Sequence, residues 1–306
     1  MLSGIATSLW LQSCLSGQHT SATTSALDSL RTELAEAIKD VDGRIGIAVI
    51  TPDNDTLTIN NSDDYQLMSV FKLHQAVASA HKLDMEGRDL DTVITIDRAS
   101  LDPETWSPML KVHSDEALIE LSVREMMEYT LQQSDNNVSN VMFDRILSVG
   151  ETNDFIRNAT GINGFELKHT EGEMRRNHSL CDENRSTPLA CAQLIKMVMT
   201  DSLVSKQKQE EICRILTDCQ TGTDRIVAPL DTIPGVRVAH KTGSGFRRDN
   251  GRLAAHNDVG YVMLPDGRAY SLAILVRDYN GSERDASQIM ARISRIVYDF
   301  FARQQL

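Results

Sequence analysis

Strand-like segments lie only near the two ends of this chain, and the residues between them are patterned for helix. Arg44–Thr51 (RIGIAVIT) alternates and is β-branched, and Pro52-Asp53-Asn54-Asp55 turns it into Thr56–Ile59, a hairpin signature. Val236–His240, Val259–Leu264 and Tyr270–Val276 are the later strand candidates, the last two flanking the turn Pro265-Asp266-Gly267. Helical spacing appears outside them, in Leu27, Leu30, Leu34, Ala37 and Ile38, and again in Ile289, Ile293, Ile296, Val297 and Phe300. Strands from both ends of a chain share one sheet only if the middle is an insertion. The expected fold class is therefore α+β, an α/β sandwich: an antiparallel sheet of about five strands, flanked by terminal helices, with an inserted all-helical domain. The expected boundaries are 1–25 for a signal or linker segment, 26–64 with 221–306 for the sheet domain, and 65–220 for the helical one. Within the insertion, Ser122-Val123-Arg124-Glu125 reads as a capping box opening a helix through Leu131, and a second helix is expected from Val138 to Leu147.

Bulk composition excludes several partners. A net charge of −12 over 306 residues is wrong for nucleic acid or an anionic membrane, either of which wants a basic surface. No apolar run approaches the ~20 residues that cross a bilayer. Residues 1–20 carry a short apolar stretch without a basic start, so they read as a trimmed signal segment. Leu11-Gln12-Ser13-Cys14 loosely resembles a lipoprotein cleavage box, with Cys14 as the lipid-anchor candidate. Cys181, Cys191, Cys213 and Cys219 lack C-x-x-C spacing and read as buried free thiols. His178 and Cys181 are spaced like metal ligands, but no second pair completes a set.

Three short motifs carry chemistry. Ser69-Val70-Phe71-Lys72 puts a hydroxyl and an amine on one face of a helix, the arrangement that activates a serine without histidine. Near a helix start the Ser69 backbone N–H is free to face an attacked carbonyl. Ser134-Asp135-Asn136 follows the capped helix. There Ser134 can relay a proton, Asn136 can hold a substrate carbonyl, and Asp135 reads as a structural N-cap. Lys241-Thr242-Gly243-Ser244 lies on a strand, where Lys241, Thr242 and the Ser244 backbone suit an anionic substrate carboxylate if that strand is an edge. No glycine-rich loop precedes Lys241, so it does not belong to a nucleotide-binding loop.

In order and spacing these motifs, with Trp106-Ser107-Pro108 and the Leu264–Gly267 turn, resemble the class A serine β-lactamases over about residues 27–304. The resemblance implies hydrolysis of the β-lactam amide through a Ser69 acyl-enzyme, with an oxyanion hole from the backbone N–H groups of Ser69 and Ser244 and no cofactor or metal. It places Trp106 at the cleft mouth and assigns the deacylating carboxylate to Glu171 of Thr170-Glu171-Gly172-Glu173-Met174, with Glu173 as its rival. Gly172, Met174 and Arg175 replace the commoner proline, leucine and water-holding asparagine. This form resembles the extended-spectrum, cephalosporinase-leaning branch. His169 and Arg185 stand where the commoner branch has a loop-closing Arg–Asp pair. Leu253 occupies the usual place of a carboxylate-binding arginine, leaving Arg225, then Arg248 or Arg252, as substitutes. A monomeric periplasmic enzyme follows from the same resemblance. The rival readings are a penicillin-binding D-Ala-D-Ala peptidase, which shares the three motifs but lacks the carboxylate, and a β-lactam sensor that stays acylated.

Overall fold

The structure, a computed structural model, describes residues 26–303. The expected signal segment and Cys14 lie outside the described residues. Five strands form the main sheet: β1 (Arg44–Ile50), β2 (Thr56–Ile59), β3 (Arg237–Ser244), β4 (Leu253–Met263) and β5 (Ala269–Tyr279). Their order is β2-β1-β5-β4-β3, antiparallel throughout, with Ile47 opposite Ile274 and Lys241 opposite Val259. Period-two alternation sorts side chains to two cores. Ile45, Ile47 and Val49 face helix 26–38 and helix Glu283–Arg303, meeting Leu30, Leu34, Met290, Ile293 and Val297. Ala48, Ile50, Ala273 and Leu275 face the other way, into a core with helices Phe71–Met85 and Pro188–Thr200. This makes the α+β sandwich that the patterning implied.

Three expectations need correction. β4 begins at Leu253, well before the expected Val259, and β5 runs on to Tyr279. The missed half of β4, Leu253–Asp258, includes His256, Asn257 and Asp258, all buried, so hydrophobic alternation could not reveal it. Residues 65–220 are mostly but not all helical. Tyr65–Gln66, Phe165–Glu166 and Arg185–Ser186 make a small sheet, and Val93–Asp97 pairs with Leu118–Ser122. Two-residue strands are too short to show a period. Finally, of the four described cysteines, all free, only Cys181 and Cys191 are buried; Cys213 and Cys219 are partly exposed.

Candidate active site

The turn Met68–Val70 feeds directly into helix Phe71–Met85, which starts the cleft. Met68 has φ 46°, a left-handed conformation that costs on the order of 1–3 kcal/mol in a non-glycine residue. The surrounding backbone is clamped: the Asn257 side chain donates to the carbonyls of Gln66 (2.6 Å) and Leu67 (3.2 Å), and the Leu67 N–H donates to Asn184 O (2.8 Å). Ser69 is thereby held partly exposed, with Lys72 one turn on and fully buried.

Lys72 Nζ donates to Ser69 Oγ (3.0 Å), Asn136 Oδ1 (2.7 Å) and the Ser134 carbonyl (2.9 Å), and pairs with Glu171 Oε1 at 2.9 Å. Ser69 Oγ itself donates to Glu171 Oε1 at 2.9 Å. A buried ammonium surrounded by acceptors stays compensated. Glu171 Oε1 thus accepts from both the serine hydroxyl and the lysine.

Ser134 ends the capped helix Val123–Gln132 in a second left-handed conformation, φ 59°. Its hydroxyl lies between the two lysines, 3.4 Å from Lys72 Nζ and 3.1 Å from Lys241 Nζ. Asp135 caps the next helix, accepting from Val138 N, Met109 N and Ser107 Oγ. That is the structural part expected of it. Asn136 begins this helix, donating to Thr105 Oγ1 (3.1 Å).

β3 is the sheet edge that borders the cleft, as the Lys241 motif required. Lys241 is fully buried and also donates to its neighbour's carbonyl, Thr242 O, at 2.8 Å. Burial and the nearby Lys72 ammonium push its pKa down to about 7. Gly243 is needed here because an added Cβ would meet the Leu67 carbonyl at 2.5 Å, so its small size brings β3 against the nucleophile turn. Gly245 N donates to Ala255 O. By antiparallel alternation Ser244, one residue earlier, turns its N–H to the free edge.

Of the three arginines, Arg225 reaches this strand: it donates to Ser244 Oγ (2.6 Å) and Asn257 O (2.7 Å). Arg248 pairs with Asp182 and Asp278, and Arg252 with Asp42. Trp106 is exposed, its indole donating to Gln133 O (2.8 Å) and its carbonyl accepting from Asn136 N (3.0 Å).

The loop around Glu171 departs from the commoner sequence form, and the structure shows what its residues do instead. Glu173 faces away as a capping carboxylate for Thr170 and is no rival for the chemistry. Arg175 does not approach the site but bridges Asp102 and Glu104 on the surface. His169 and Arg185 do not close the loop, because they pair separately, with Glu183 (3.5 Å) and Asp63 (3.8 Å). Closure comes from Asn184, unremarked in the sequence. Its Oδ1 accepts from Lys168 N (2.8 Å) and His169 N (2.9 Å), and its Nδ2 donates to His169 O (2.7 Å).

A serine within reach of a buried lysine and a carboxylate, facing a second hydroxyl and lysine across an edge strand, defines a histidine-free serine acyl-transfer enzyme. A profile of the Beta-lactamase enzyme family matches residues 29–301. A β-lactamase of Phocaeicola vulgatus is 45% identical over 92% of this chain and 88% of its own length. The extended-spectrum β-lactamase PER-1 of Pseudomonas aeruginosa is 30% identical over 90% of this chain and 89% of its own. The crystal structure of TLA-3 extended-spectrum β-lactamase superposes with a TM-score of 0.86 at 31% identity, covering 90% of this chain and 98% of that one. The chain belongs to the β-lactamase family, in its class A, and is a hydrolase of β-lactams that confers antibiotic resistance. The peptidase and sensor readings are not favoured.

Proposed function

We propose that the residues converging on Ser69 divide the hydrolysis as follows. Glu171 takes the Ser69 proton as Oγ attacks the lactam carbonyl, and the buried Lys72 ammonium stabilises the resulting charge. The oxyanion forms between the backbone N–H groups of Ser69 and Ser244; one such donor is typically worth roughly 10²–10³ in rate. Ser134 gives its proton to the ring nitrogen as the C–N bond breaks, Lys72 replaces it, and Glu171 hands the Ser69 proton on to Lys72, which frees the carboxylate again. Water then gives a proton to the freed Glu171 carboxylate and its hydroxyl to the acyl carbon, and Ser69 Oγ takes that proton from Glu171 as it leaves. Lys241, Thr242 and Arg225 receive the substrate carboxylate, Arg225 through Ser244. Asn136 donates to the substrate side-chain carbonyl, and Trp106 covers the cleft mouth. The observation that carries this reading is the meeting of Ser69 Oγ, Lys72 Nζ and Glu171 Oε1 within 2.9–3.0 Å of one another.

Because PER-1 and TLA-3 are extended-spectrum enzymes by name, the substrate range here is proposed to include cephalosporins. Purified protein mixed with a chromogenic cephalosporin should show sustained turnover. A single stoichiometric burst would instead mean that the acyl-enzyme is not released. We also propose a monomer exported to the periplasm. The short apolar stretch in residues 1–20 supports export. Among the described residues only Met85, Val93, Trp106, Val112 and Leu118 are large apolar side chains left exposed, and so few support the monomer. Cell fractionation and light scattering test the two.

A further inference from the structure

Two adjacent residues of β4 grip the cleft from opposite faces of the sheet. Asn257 clamps the nucleophile turn on one side. Asp258, by period-two alternation, faces the other side, is fully buried and takes no part in the mechanism. Its carboxylate has two partners: Oδ1 lies 2.9 Å from the buried His240 Nδ1 on β3, and Oδ2 accepts from Ile226 N at 3.2 Å. A buried ion pair is a poor source of stability in itself, since a well-packed apolar pair often does as well. The backbone bond is another matter, because an apolar side chain could not accept from Ile226 N.

What Asp258 holds is the residue that follows Arg225. Residues 218–236 form neither helix nor strand, so single contacts set the course of the chain there. Near the start of this segment Thr221 Oγ1 lies 2.7 Å from Thr242 Oγ1. Gly222 then runs so close to β3 that an added Cβ would meet Thr242 Cγ2 at 2.4 Å. At Ile226 the N–H is taken by Asp258, and the carbonyl accepts from Ser294 Oγ (2.8 Å) on helix Glu283–Arg303. Between these anchors Arg225 reaches over the sheet to Asn257 O and Ser244 Oγ, its Nε buried without a hydrogen-bond partner. Burial works against the Arg225 charge, and the Asp258 carboxylate is the largest influence opposing that loss.

We propose that Asp258 is a positioning residue for the substrate carboxylate: by fixing Ile226 it sets the reach of Arg225, and through Arg225 the place of the Ser244 hydroxyl. Because Ser244 Oγ accepts from the guanidinium, its own proton is left to donate to the anion. The inference rests on the assignment of Arg225 to the substrate carboxylate and adds what holds that arginine in place.

The test compares a chromogenic cephalosporin with its methyl ester, which lacks the negative charge, on the purified full chain. Asp258→Ala should lower kcat/KM for the free acid about tenfold, through KM, and leave the ester within about twofold. The acid-to-ester ratio therefore falls. Asp258→Asn keeps an oxygen that can accept from Ile226 N and should restore most of that ratio. Arg225→Ala should lower the ratio too, and adding Asp258→Ala to it should lower it no further. If Arg225→Ala lowers the ratio while Asp258→Ala slows acid and ester alike, or neither, the carboxylate site stands and the proposal is overturned. A ratio untouched by Arg225→Ala removes the assignment of the arginine, and the proposal with it. Asp258→Ser, whose hydroxyl is too short to reach both partners, carries the same expectation should the alanine variant not fold. Amide exchange in the wild type decides independently of any variant. Ile226 N–H should exchange on the order of 10² times more slowly than a free amide, and free exchange there overturns the proposal.

Discussion

Ser69 Oγ donates a 2.9 Å hydrogen bond to Glu171 Oε1 across 102 positions of sequence, and the same oxygen receives Lys72. Replacing that acceptor with an amide keeps the volume and removes the base. Glu171→Gln should therefore slow both acylation and deacylation, lowering kcat by about 10²–10⁴, and the acyl adduct that does form should persist in the intact mass spectrum. Glu173→Gln should cost no more than part of a helix cap, about 1 kcal/mol or less, and clear its adduct normally. If the two variants behave the other way round, the catalytic carboxylate is misassigned.

Asn184 holds the backbone of Lys168 and His169, immediately before the loop residue that supplies the base. In Asn184→Ala two N–H groups and one carbonyl lose their partner in a buried setting. The expected loss of stability is about 1–3 kcal/mol, with Glu171 less well positioned. Deacylation should suffer more than acylation, so pre-steady-state kinetics should show a burst absent from the wild type. Equal slowing of both steps would make Asn184 a purely structural residue.

Much of this site was legible because its residues are chemically distinctive at short spacing, as with Ser69 and Lys72 on one helical turn or Ser134 and Asn136 flanking a cap. The edge position of β3 was also anticipated from Lys241 and Thr242, which needed an open side to share one ligand. What escaped notice were residues that act on backbone. Asn184 and Asn257 look like ordinary polar residues in sequence, yet their amides clamp the loop and the nucleophile turn. The choice between Glu171 and Glu173 was decidable in advance: Thr170-x-x-Glu173 is a capping-box pattern, which commits the second carboxylate to the backbone. The beginning of β4 was hidden because His256, Asn257 and Asp258 are buried through hydrogen bonds instead of by apolarity.

Lys241 provides a pH test. Burial and Lys72 depress its pKa to about 7, so in the free enzyme its positive charge is lost as pH rises through that region. A substrate carboxylate binds best to the charged form. For an anionic β-lactam, kcat/KM should fall on an alkaline limb far below the ~10.4 of an ordinary lysine, mainly through KM. Lys241→Arg, which keeps its charge, should move that limb upward even if its geometry lowers the maximum. A limb unchanged by that substitution would assign it to another group.

The buried histidines predict acid sensitivity well above the carboxylate range. His74, its ring tilted against Phe165 with centroids 4.9 Å apart, and His256, bonded to Ser287 Oγ at 2.9 Å, are both held down to about 3, chiefly by burial. Their folded pKa values lie below the unfolded ~6.5, so the unfolded chain binds the extra protons and stability falls as pH drops below that value. Each costs about 2 kcal/mol on going from pH 7 to 5. His240 works in the opposite sense. Held up at about 10, it contributes stability that is complete below ~6.5 and lost as pH rises through its folded value, so over the same interval it returns about 1 kcal/mol. The net expectation is a loss of about 3 kcal/mol between pH 7 and 5, read from denaturant midpoints at the two values. His74→Gln, though less stable at pH 7, should lose about 2 kcal/mol less over that interval. A wild-type midpoint that does not move between pH 7 and 5 would mean that these imidazoles are protonated in the folded protein.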